Sequence, residues 1–373
     1  MKFLIVTHVP HAVEQKQYYG YAPYVREMNI WIKQVDELIL IAPLENKKPT
    51  AIDTFYEHKS IDFRSVSHFS LTNFSNTIAS IFKLPKILLQ IAVAMQQADN
   101  IHLRCPGNMG LLACVAQIFF PSKSKTAKYA GNWDPKAKQP WTYRLQKWIL
   151  SNTFLTRNMQ VLVYGNWKNQ SKNIKSFFTA SYSEIEKNVI QKTINPNTAI
   201  KFLFVGSLVE GKNPMYAIQL LEKLQLKNEN IVLDIYGEGI LRTFLEKYIE
   251  ANNLKEFVVL HGNQNQEVVK KAYQESHFVV LPSKSEGWPK AIAEGMFWGC
   301  VPLATAVSCV PNMLDQDNRG ILLQMDLEKD AATINKLINS PTDFERKSKA
   351  TLNWSRAYTM ERFETEIQKL LQA

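Results

Sequence analysis

Two glutamates with seven residues between them, Glu286 and Glu294, are the side chains whose types and spacing most clearly suggest chemistry. Pro289 lies between them and suits the first position of a helix, because its φ is fixed near the helical value and it has no N–H to leave unpaired. The sequence therefore predicts a helix that begins at Trp288 or Pro289. Glu286 then lies in the loop before the helix, and Glu294 lies about one and a half turns along it.

Backbone donors are expected at the same junction, around Gly287, Trp288, Pro289 and Lys290. The first N–H groups of a helix have no partner within it, and the helix dipole is positive there, so this end can hold a phosphate oxygen or a sugar hydroxyl. Two carboxylates beside such donors suit a sugar nucleotide. Two residues alone also fit a simpler interpretation, a loop with one capping glutamate followed by a helix with one surface glutamate.

The segments on either side of the glutamate pair favour the binding interpretation. Residues 278–281 and 301–304 are short apolar runs typical of buried strands, so the pair lies in a strand-loop-helix-strand unit. In open α/β sheets, ligands bind at the carboxyl ends of the strands, which is where this loop is expected.

Strand and helix patterns alternate along most of the 373 residues, which predicts an α/β protein with two Rossmann-like domains and parallel sheets. We expect one domain over residues 1–186, a linker over 187–199 and a second domain over 200–373, and the last helical pattern, 360–371, fits either domain. Strands are predicted at residues 2–7, 38–42, 61–68, 100–104, 127–130, 160–163, 176–180, 202–205, 231–236, 258–261, 278–281, 301–304 and 321–323.

Composition argues against several classes of protein. No run of 18 apolar residues predicts a membrane-spanning helix, and the start of the chain reads as a strand rather than a signal peptide, so we expect a cytoplasmic protein. The four cysteines show no CxxC spacing, which predicts neither a zinc site nor a disulfide framework. We expect them to be reduced thiols in the core.

The net charge of +10 is concentrated in the first half of the chain. Residues 1–200 contain 24 Lys and Arg against 12 Asp and Glu, whereas residues 201–373 contain 20 against 22. Between residues 101 and 180 the single acid is Asp134. Such a basic segment favours an anionic partner.

The second half resembles a known family in five segments, which occur in the family's order. They are residues 204–212 (FVGSLVEGK), 235–239 (IYGEG), 261–262 (HG), 281–283 (LPS) and 286–294 (EGWPKAIAE). These segments are similar to the C-terminal domain of retaining family-4 glycosyltransferases, or glycosyl transferases group 1, which have the GT-B fold. The resemblance is good over residues 201–325 and thin before them. It implies two domains that face a cleft, the first binding the acceptor and the second the nucleotide sugar.

The resemblance also implies roles for the matched residues. Lys212 neutralises the donor diphosphate, Glu286 holds hydroxyls of the donor sugar, and Glu294 holds the ribose hydroxyls. Lys212 and Glu286 are the expected catalytic residues, because a cation near the leaving diphosphate lowers the barrier as its charge develops. A solvated lysine in a glycine-containing turn is the alternative interpretation of Lys212. Further donor contacts are expected at Gly206, Ser207, Gly237, His261, Gly287, Trp288, Pro289 and Lys290.

One departure from the family pattern affects the expected diphosphate site. The family usually has an arginine where this chain has Ser207, so Arg242 or Lys284 is a candidate to supply the missing charge. No metal and no other cofactor is expected, because Lys212 and a helix N-terminus already offset the phosphate charge, and because resemblance to GT-B enzymes implies metal independence. The Asp-Gln-Asp sequence at 315–317 has a form that other transferases use to hold a metal, but its neighbours predict a polar turn.

The second departure concerns the acceptor side. Many relatives have a histidine after the strand predicted at 127–130, where this chain has Gly131, so Asn132 and Asp134 are candidates for sugar contact. His8 and His11 follow the first strand and are expected to line the same cleft, where a histidine can act as a base.

An aromatic, basic helix pattern follows, over residues 141–155. Its apolar residues are expected to face the protein's own core, as in most amphipathic helices. The alternative is a helix on an anionic membrane surface, within the basic segment 121–175, that presents a lipid-linked acceptor. The apolar positions are Trp141, Leu145, Trp148, Ile149 and Leu155.

These observations predict a retaining glycosyltransferase that uses a nucleoside diphosphate sugar, UDP- or GDP-linked, and a glycan or lipid-linked acceptor, in polysaccharide or lipopolysaccharide assembly. The alternative is a non-catalytic protein that binds nucleotide sugar, or a scaffold for glycan assembly, which is compatible with the departures at Ser207 and Gly131. An epimerase or phosphorylase could use the same pair of domains, although no phosphorylase site stands out. No nucleic-acid-binding module is recognised, and no nucleic acid partner is expected.

Overall fold

The computed structural model describes residues 1–50, 52–66, 84–195, 198–225 and 230–372. The chain forms two compact units. Unit 1 comprises Met1–Phe178 together with Phe363–Ala373, and unit 2 comprises Thr179–Arg362. The predicted linker, residues 187–199, therefore falls within unit 2, where the ammonium group of Lys192 donates to the carbonyl oxygens of Tyr273 (2.7 Å) and Gln274 (3.1 Å).

Unit 1 is built on a parallel sheet of seven strands in the order β10-β9-β8-β7-β1-β4-β6. Apolar side chains of the central strands are buried and form its core, which explains why these strands could be predicted from their apolar runs. The described elements of unit 1 are β1 (Lys2–Val6), β2 (His11–Glu14), β3 (Gln17–Tyr21), α1 (Ala22–Ile32), β4 (Glu37–Pro43), β5 (Asp53–Phe55), β6 (Ile61–Val66), α2 (Leu84–Gln97), β7 (Asn100–Cys105), α3 (Asn108–Ala116), β8 (Ser124–Tyr129), α4 (Trp141–Ser151), β9 (Met159–Tyr164) and β10 (Ile174–Phe177).

A small antiparallel sheet, β2-β3-β5, was not predicted from the sequence. Strands β2 and β3 form a hairpin whose two turn residues, Gln15 and Lys16, have φ values of 50° and 64°. Positive φ at both turn positions is usually provided by Asn or Gly. Because Gln and Lys stand there instead, the sequence carries no hairpin signal.

Helix α4 does not bury its tryptophans, so the prediction that its apolar residues face the core is wrong for these two side chains. Trp141 and Trp148 are 61% and 60% exposed, whereas the buried side chains of the helix include Gln146 and Ile149. The Gly107 N–H donates to Oε1 of Gln146 at 3.2 Å, so this glutamine supports the start of α3 from inside the unit. The helix therefore buries a partly polar face and leaves an aromatic face in solvent.

Unit 2 is built on a parallel sheet of six strands in the order β13-β12-β11-β14-β15-β16. All six strands lie where the sequence predicted them. The described elements of this unit, together with the last helix, are β11 (Ile200–Val205), α5 (Pro214–Gln225), β12 (Ile231–Tyr236), α6 (Arg242–Ala251), β13 (Val258–Gly262), α7 (Gln266–Glu275), β14 (Phe278–Leu281), α8 (Lys290–Phe297), β15 (Val301–Thr305), α9 (Val310–Leu314), β16 (Ile321–Leu323), α10 (Leu327–Ile338), α11 (Pro341–Ser355) and α12 (Met360–Gln372).

Helix α12 begins in unit 2 and continues into unit 1, to which it belongs from Phe363 onwards. The Phe363 ring packs against Phe177 (5.5 Å between centroids) and Phe178 (5.7 Å). The buried ammonium group of Lys128 lies 5.0 Å from the centroid of the Phe363 ring and 2.8 Å from the Glu27 carboxylate. The last helix is thus part of the core of unit 1.

Two predictions from composition can be compared with the described residues. None of the described helices is both long and apolar enough to cross a membrane. All four cysteines are buried and none forms a disulfide.

Candidate functional site

The loops that follow β11 and β14 meet at the carboxyl end of the unit 2 sheet. Nζ of Lys212, in the first loop, lies 2.5 Å from Oε1 of Glu286, in the second. The backbone N–H of Lys284 also donates to the carbonyl oxygen of Gly211 at 2.9 Å. The Glu286 side chain is 7% exposed and that of Lys212 is 30% exposed. The structure therefore brings together the two residues expected to be catalytic, as an ion pair with its cation partly open to solvent.

The loop that carries Glu286 is fixed by side chains from β15, from the turn after it, and from the end of α11 and the residues that follow. Thr305 Oγ1 donates to the carbonyl oxygen of Ser283 at 2.5 Å, and Ser308 Oγ donates to that of Gly287 at 3.0 Å. The indole of Trp288 stacks on Trp354 at 6.2 Å between centroids and meets the edge of Tyr358 at 5.8 Å. Trp288 therefore anchors the loop through its ring.

Helix α8 begins at Lys290, with Pro289 as its N-cap residue, one position later than the sequence predicted. Glu294 lies on its second turn and accepts a hydrogen bond from Oγ of Ser181 at 2.6 Å. Burial, followed by the charge of Glu294, raises the pKa of the Tyr182 hydroxyl and of the Tyr273 hydroxyl above their ordinary value. The tyrosine hydroxyls near the Glu294 carboxylate are thus neutral near pH 7.

Two glycines in the loop after β12 are explained by backbone packing. Gly237 has a φ of 141°, and a Cβ at this position would lie 2.0 Å from the carbonyl oxygen of Gly206. A Cβ at Gly239 would lie 2.4 Å from the carbonyl oxygen of Leu208. The Leu208 N–H donates to the carbonyl oxygen of Glu238 at 2.9 Å. These glycines let the loops after β11 and β12 lie against each other.

The two candidates for the charge missing at Ser207 differ in their surroundings. Ser207 itself is exposed. Arg242 is bound by two carboxylates, at 2.5 Å from Glu238 and 2.8 Å from Glu246. Lys284 is exposed, and no carboxylate of the described residues forms an ion pair with it. Lys284 is therefore the candidate whose charge is available to a ligand.

His261 is held at the end of β13 by its neighbours. Its Nε2 lies 2.6 Å from Oδ1 of Asp234, and its ring stacks on Tyr236 with 4.4 Å between centroids and 9° between planes. The orientation of this imidazole is consequently fixed before any ligand arrives.

The two histidines expected on the acceptor side have different environments in unit 1. His11 is fully buried, with Nδ1 2.7 Å from the carbonyl oxygen of Val9 and Nε2 2.9 Å from the Tyr56 hydroxyl. Its burial lowers its pKa to about 4. Because the aromatic rings of Tyr24, Tyr56 and Phe63 also pack against it, an acceptor could contact this imidazole only if the residues that cover it moved. His8, by contrast, is exposed.

Asn132 and Asp134 form a turn after β8. The Asp134 N–H donates to Oδ1 of Asn132 at 2.9 Å, and the Lys136 N–H donates to Oδ1 of Asp134 at 2.8 Å. Gly131, which stands where many relatives have a histidine, packs on Pro106 so closely that a Cβ would lie 2.9 Å from the proline Cγ. A side chain at position 131 would require this contact to move.

The Asp-Gln-Asp sequence forms the polar turn that its neighbours predicted. Asp315, Gln316 and Asp317 all have positive φ values. Oδ1 of Asp317 accepts the Leu322 N–H at 2.5 Å. Among the described residues, no three His, Cys, Asp or Glu side chains are grouped so that they could hold a metal ion.

Sequence reasoning missed Ser181, the hydrogen-bond partner of Glu294. It lies in a stretch without regular secondary structure, in the sequence Ala-Ser-Tyr-Ser, and no motif marks it. Only the folded chain shows that this residue, 113 positions before Glu294, lies beside it.

Comparison with known proteins supports the resemblance of the second half. The family model of glycosyl transferases group 1 matches residues 185–354. In Campylobacter jejuni, N-acetylgalactosamine-N,N'-diacetylbacillosaminyl-diphospho-undecaprenol 4-alpha-N-acetylgalactosaminyltransferase is 30% identical over 152 residues, which are 39% of this chain and 40% of that protein. The chain spans between 30% and 56% of the length of the curated relatives that it matches.

Solved structures are similar along the whole chain. The lipopolysaccharide outer core galactosyltransferase WaaB has a TM-score of 0.70 at 14% identity, with 100% of this chain and 99% of that chain covered. Anabaena HepE, solved with UDP and glucose, has a TM-score of 0.69 at 11% identity, with 100% of both chains covered. At these identities the similarity shows the fold alone. The predicted fold class, α/β with two parallel sheets as in GT-B proteins, is confirmed.

Proposed function

Because residues 185–354 match the family model of glycosyl transferases group 1, we propose that this protein is a retaining glycosyltransferase. Its donor is a nucleoside diphosphate sugar, UDP- or GDP-linked, and its acceptor is a glycan or a lipid-linked glycan. The observation that supports this most directly is the Lys212–Glu286 ion pair at the carboxyl end of the unit 2 sheet.

The ion pair provides a switch between two partners for Lys212. A donor diphosphate carries more negative charge than one carboxylate, so it competes with Glu286 for the ammonium group. Once Lys212 turns to the diphosphate, Glu286 can accept hydrogen bonds from the hydroxyls of the donor sugar. Lys284 offers a second cation on the same loop, in place of the arginine that Ser207 replaces.

Glu294 is proposed to hold the ribose hydroxyls of the donor. A carboxylate accepts two hydrogen bonds from a diol, and Ser181 already shows that this oxygen accepts from a hydroxyl at 2.6 Å. In support, the structurally similar HepE was solved with UDP and glucose.

The proposed reaction breaks the bond between the anomeric carbon and the diphosphate oxygen and forms one to the acceptor oxygen with retention. Negative charge develops on the leaving diphosphate, and Lys212 together with the N-terminus of α8 stabilises it. These groups supply the positive charge that a metal provides elsewhere, so the proposal includes no metal and no other cofactor.

The acceptor is proposed to be part of polysaccharide or lipopolysaccharide assembly, on the cytoplasmic side of a membrane. The exposed Trp141 and Trp148 of α4, with Arg144 between them, support this proposal. Aromatic side chains favour the interface of a bilayer, and a basic residue is attracted by anionic head groups. Peripheral attachment through residues 121–175 would bring the enzyme to a lipid-linked acceptor.

Calorimetric binding of UDP, GDP and ADP, their sugars and the free nucleosides tests the donor site. Lys212→Met should weaken binding of the diphosphate about tenfold or more and leave the free nucleoside unaffected. Glu294→Ala should weaken both, because it removes the ribose contact. Lys223→Met removes a half-buried lysine that lies 2.6 Å from Glu328, and Glu256→Ala changes an exposed position. Both serve as controls and should bind like the wild type.

If no nucleoside diphosphate binds, or if Lys212→Met and Lys223→Met weaken its binding equally, the proposed donor site is wrong. The second candidate function is a non-catalytic protein that binds nucleotide sugar, and the exposed Ser207 together with the carboxylate-bound Arg242 favours it. Release of nucleoside diphosphate in the presence of lipid-linked glycans separates the two. Binding without release across such acceptors would support the non-catalytic protein.

A further inference from the structure

Unit 1 contains a cavity of about 940 Å³ that no part of the proposed reaction uses. Its lining includes residues at the amino ends of β8 and β9 and just before β10. Ligands of parallel α/β sheets normally bind at the opposite, carboxyl ends, where His8 and Asn132 lie in this unit. The cavity therefore lies at the edge of the unit 1 sheet opposite to the one where ligands normally bind.

Positive charge dominates this cavity. Lys125, Arg157 and Lys172 line it, and none of the described residues in its lining is acidic. Lys125 is 1% exposed, and its ammonium group donates to the carbonyl oxygen of Phe120 at 2.5 Å without an ion pair among the described residues. Burial lowers the pKa of Lys125 to about 8. A cation buried without a counter-ion is costly, and a bound anion would offset that cost.

The same cavity contains an unsatisfied hydrogen-bond acceptor. Oε1 of Gln160 is buried and has no hydrogen-bond donor in the described structure. Nearby, the amide nitrogen of Asn173 donates to Oγ1 of Thr156 at 3.1 Å, and both of these residues also line the cavity. Buried polar atoms are nearly always paired, so an unpaired one in a cavity marks a place for a donor such as a ligand hydroxyl.

We propose that this cavity binds a sugar phosphate, a phosphate monoester that also carries hydroxyl groups. Lys125, Arg157 and Lys172 bind the phosphate, and Oε1 of Gln160 accepts a hydrogen bond from a sugar hydroxyl. The cavity is large enough for one such molecule, since small-molecule sites span roughly 300–1,000 Å³. This site is independent of the donor site, because every residue that it uses lies in unit 1.

The test is calorimetric titration of the full chain with glucose 6-phosphate, inorganic phosphate and glucose. Glucose 6-phosphate should bind saturably. Lys172→Ala should lower the affinity for it about tenfold, because one charge-assisted contact is lost. Lys172 is exposed, so its replacement does not threaten the fold. Lys168→Ala removes an exposed lysine of the same basic segment outside the cavity and should leave the affinity unchanged.

Two further variants separate the parts of the proposal. Gln160→Leu should weaken the binding of glucose 6-phosphate several-fold but leave the binding of inorganic phosphate unaffected. Lys212→Met should change the affinity for neither ligand. Absence of saturable binding, or equal weakening by Lys168→Ala and Lys172→Ala, would overturn the site. Equal affinity for inorganic phosphate and glucose 6-phosphate would overturn the sugar part and the role of Gln160. Loss of binding in Lys212→Met alone would assign the ligand to the donor site instead.

Discussion

At the scale of single residues, the site in unit 2 depends on charges and on the absence of side chains. The Lys212–Glu286 pair needs two loops at a fixed distance, and the loop after β11 is held by the backbone bonds of Leu208. Gly237 lets the neighbouring loop approach, since its position leaves no room for a Cβ. Glycine between a strand and a helix often only turns the chain, but here it also sets the distance between loops.

Gly237→Ala should lower the free energy of unfolding by about 2 kcal/mol, because it combines an unfavourable φ of 141° with a Cβ only 2.0 Å from a carbonyl oxygen. Gly211→Ala is the matched control, since a Cβ there meets nothing within 4 Å, and it should change the free energy by less than about 0.5 kcal/mol. Urea denaturation measures both. Equal stabilities would mean that the loop after β12 relaxes away from Gly206.

Lys125 should make stability depend on pH in a defined direction. Burial lowers its pKa from 10.5 to about 8, so between these values the unfolded chain holds a proton that the folded chain has lost. Its contribution to the free energy of unfolding therefore rises with pH from about 8 to 10.5, and below pH 8 the cost of the buried charge is fully present. Denaturation across this range should show a steeper rise in the wild type than in Lys125→Met, because Lys147 and Lys347, whose pKa values are also lowered by burial, titrate in both proteins. A parallel pH dependence would contradict the burial of an uncompensated charge.

At the scale of elements, helix α4 buries a different face from the one that its apolar pattern predicts. Its amphipathic pattern correctly predicted a helix, but the side chains that it buries include Gln146 and not the tryptophans. Helix patterns reveal apolar faces, not which face the rest of the chain can cover. Strands β14 and β15 were predictable for the opposite reason: every residue of these strands is buried, and a strand buried on both faces reads as a continuous apolar run.

Replacing both exposed tryptophans, Trp141→Gln with Trp148→Gln, should change the free energy of unfolding by less than about 1 kcal/mol, since both lie largely in solvent. The buried Ile149→Ala should lower it by about 2–4 kcal/mol. Co-sedimentation with vesicles that contain anionic lipid should then fail for the tryptophan pair and persist for folded Ile149→Ala. Retained sedimentation of the tryptophan variant would contradict attachment through α4.

Predictability within the candidate site also differed from residue to residue. Lys212 and Glu286 could be placed because segments of matching order surround them. The partner of Glu294 could not, because Ser181 is brought to it only by folding. The hairpin of β2 and β3 was missed for a local reason, since Gln15 and Lys16 adopt a conformation that their residue types rarely favour.

At the scale of the whole molecule, unit 1 is assembled from two separate parts of the chain. Among the described residues of its second part, 363–372, three apolar side chains are buried, those of Phe363, Ile367 and Leu370. Burial of such side chains stabilises a fold by roughly 2 kcal/mol each. The end of α12 is therefore a substantial part of the stability of unit 1.

Deletion of residues 363–373 should destabilise unit 1 and leave unit 2 largely unaffected. Hydrogen exchange should accelerate in peptides from β8 and β9, while peptides from β11 and β14 keep their protection. Deletion of residues 371–373 alone retains the three buried side chains and serves as the control. Unchanged exchange in unit 1 after the longer deletion would show that the packing of Phe363 contributes little.

The course of the chain through unit 1 also sets an order of events during translation. Phe177, Phe178 and Lys128 are made early, but their partner Phe363 leaves the ribosome only after the whole of Thr179–Arg362. At typical elongation rates of about 5–20 residues per second, that interval lasts on the order of 10–40 s. Throughout it, Phe177 and Phe178 lack the Phe363 ring that packs against them in the folded chain. Unit 1 therefore begins to be synthesised before unit 2 but is completed only after it.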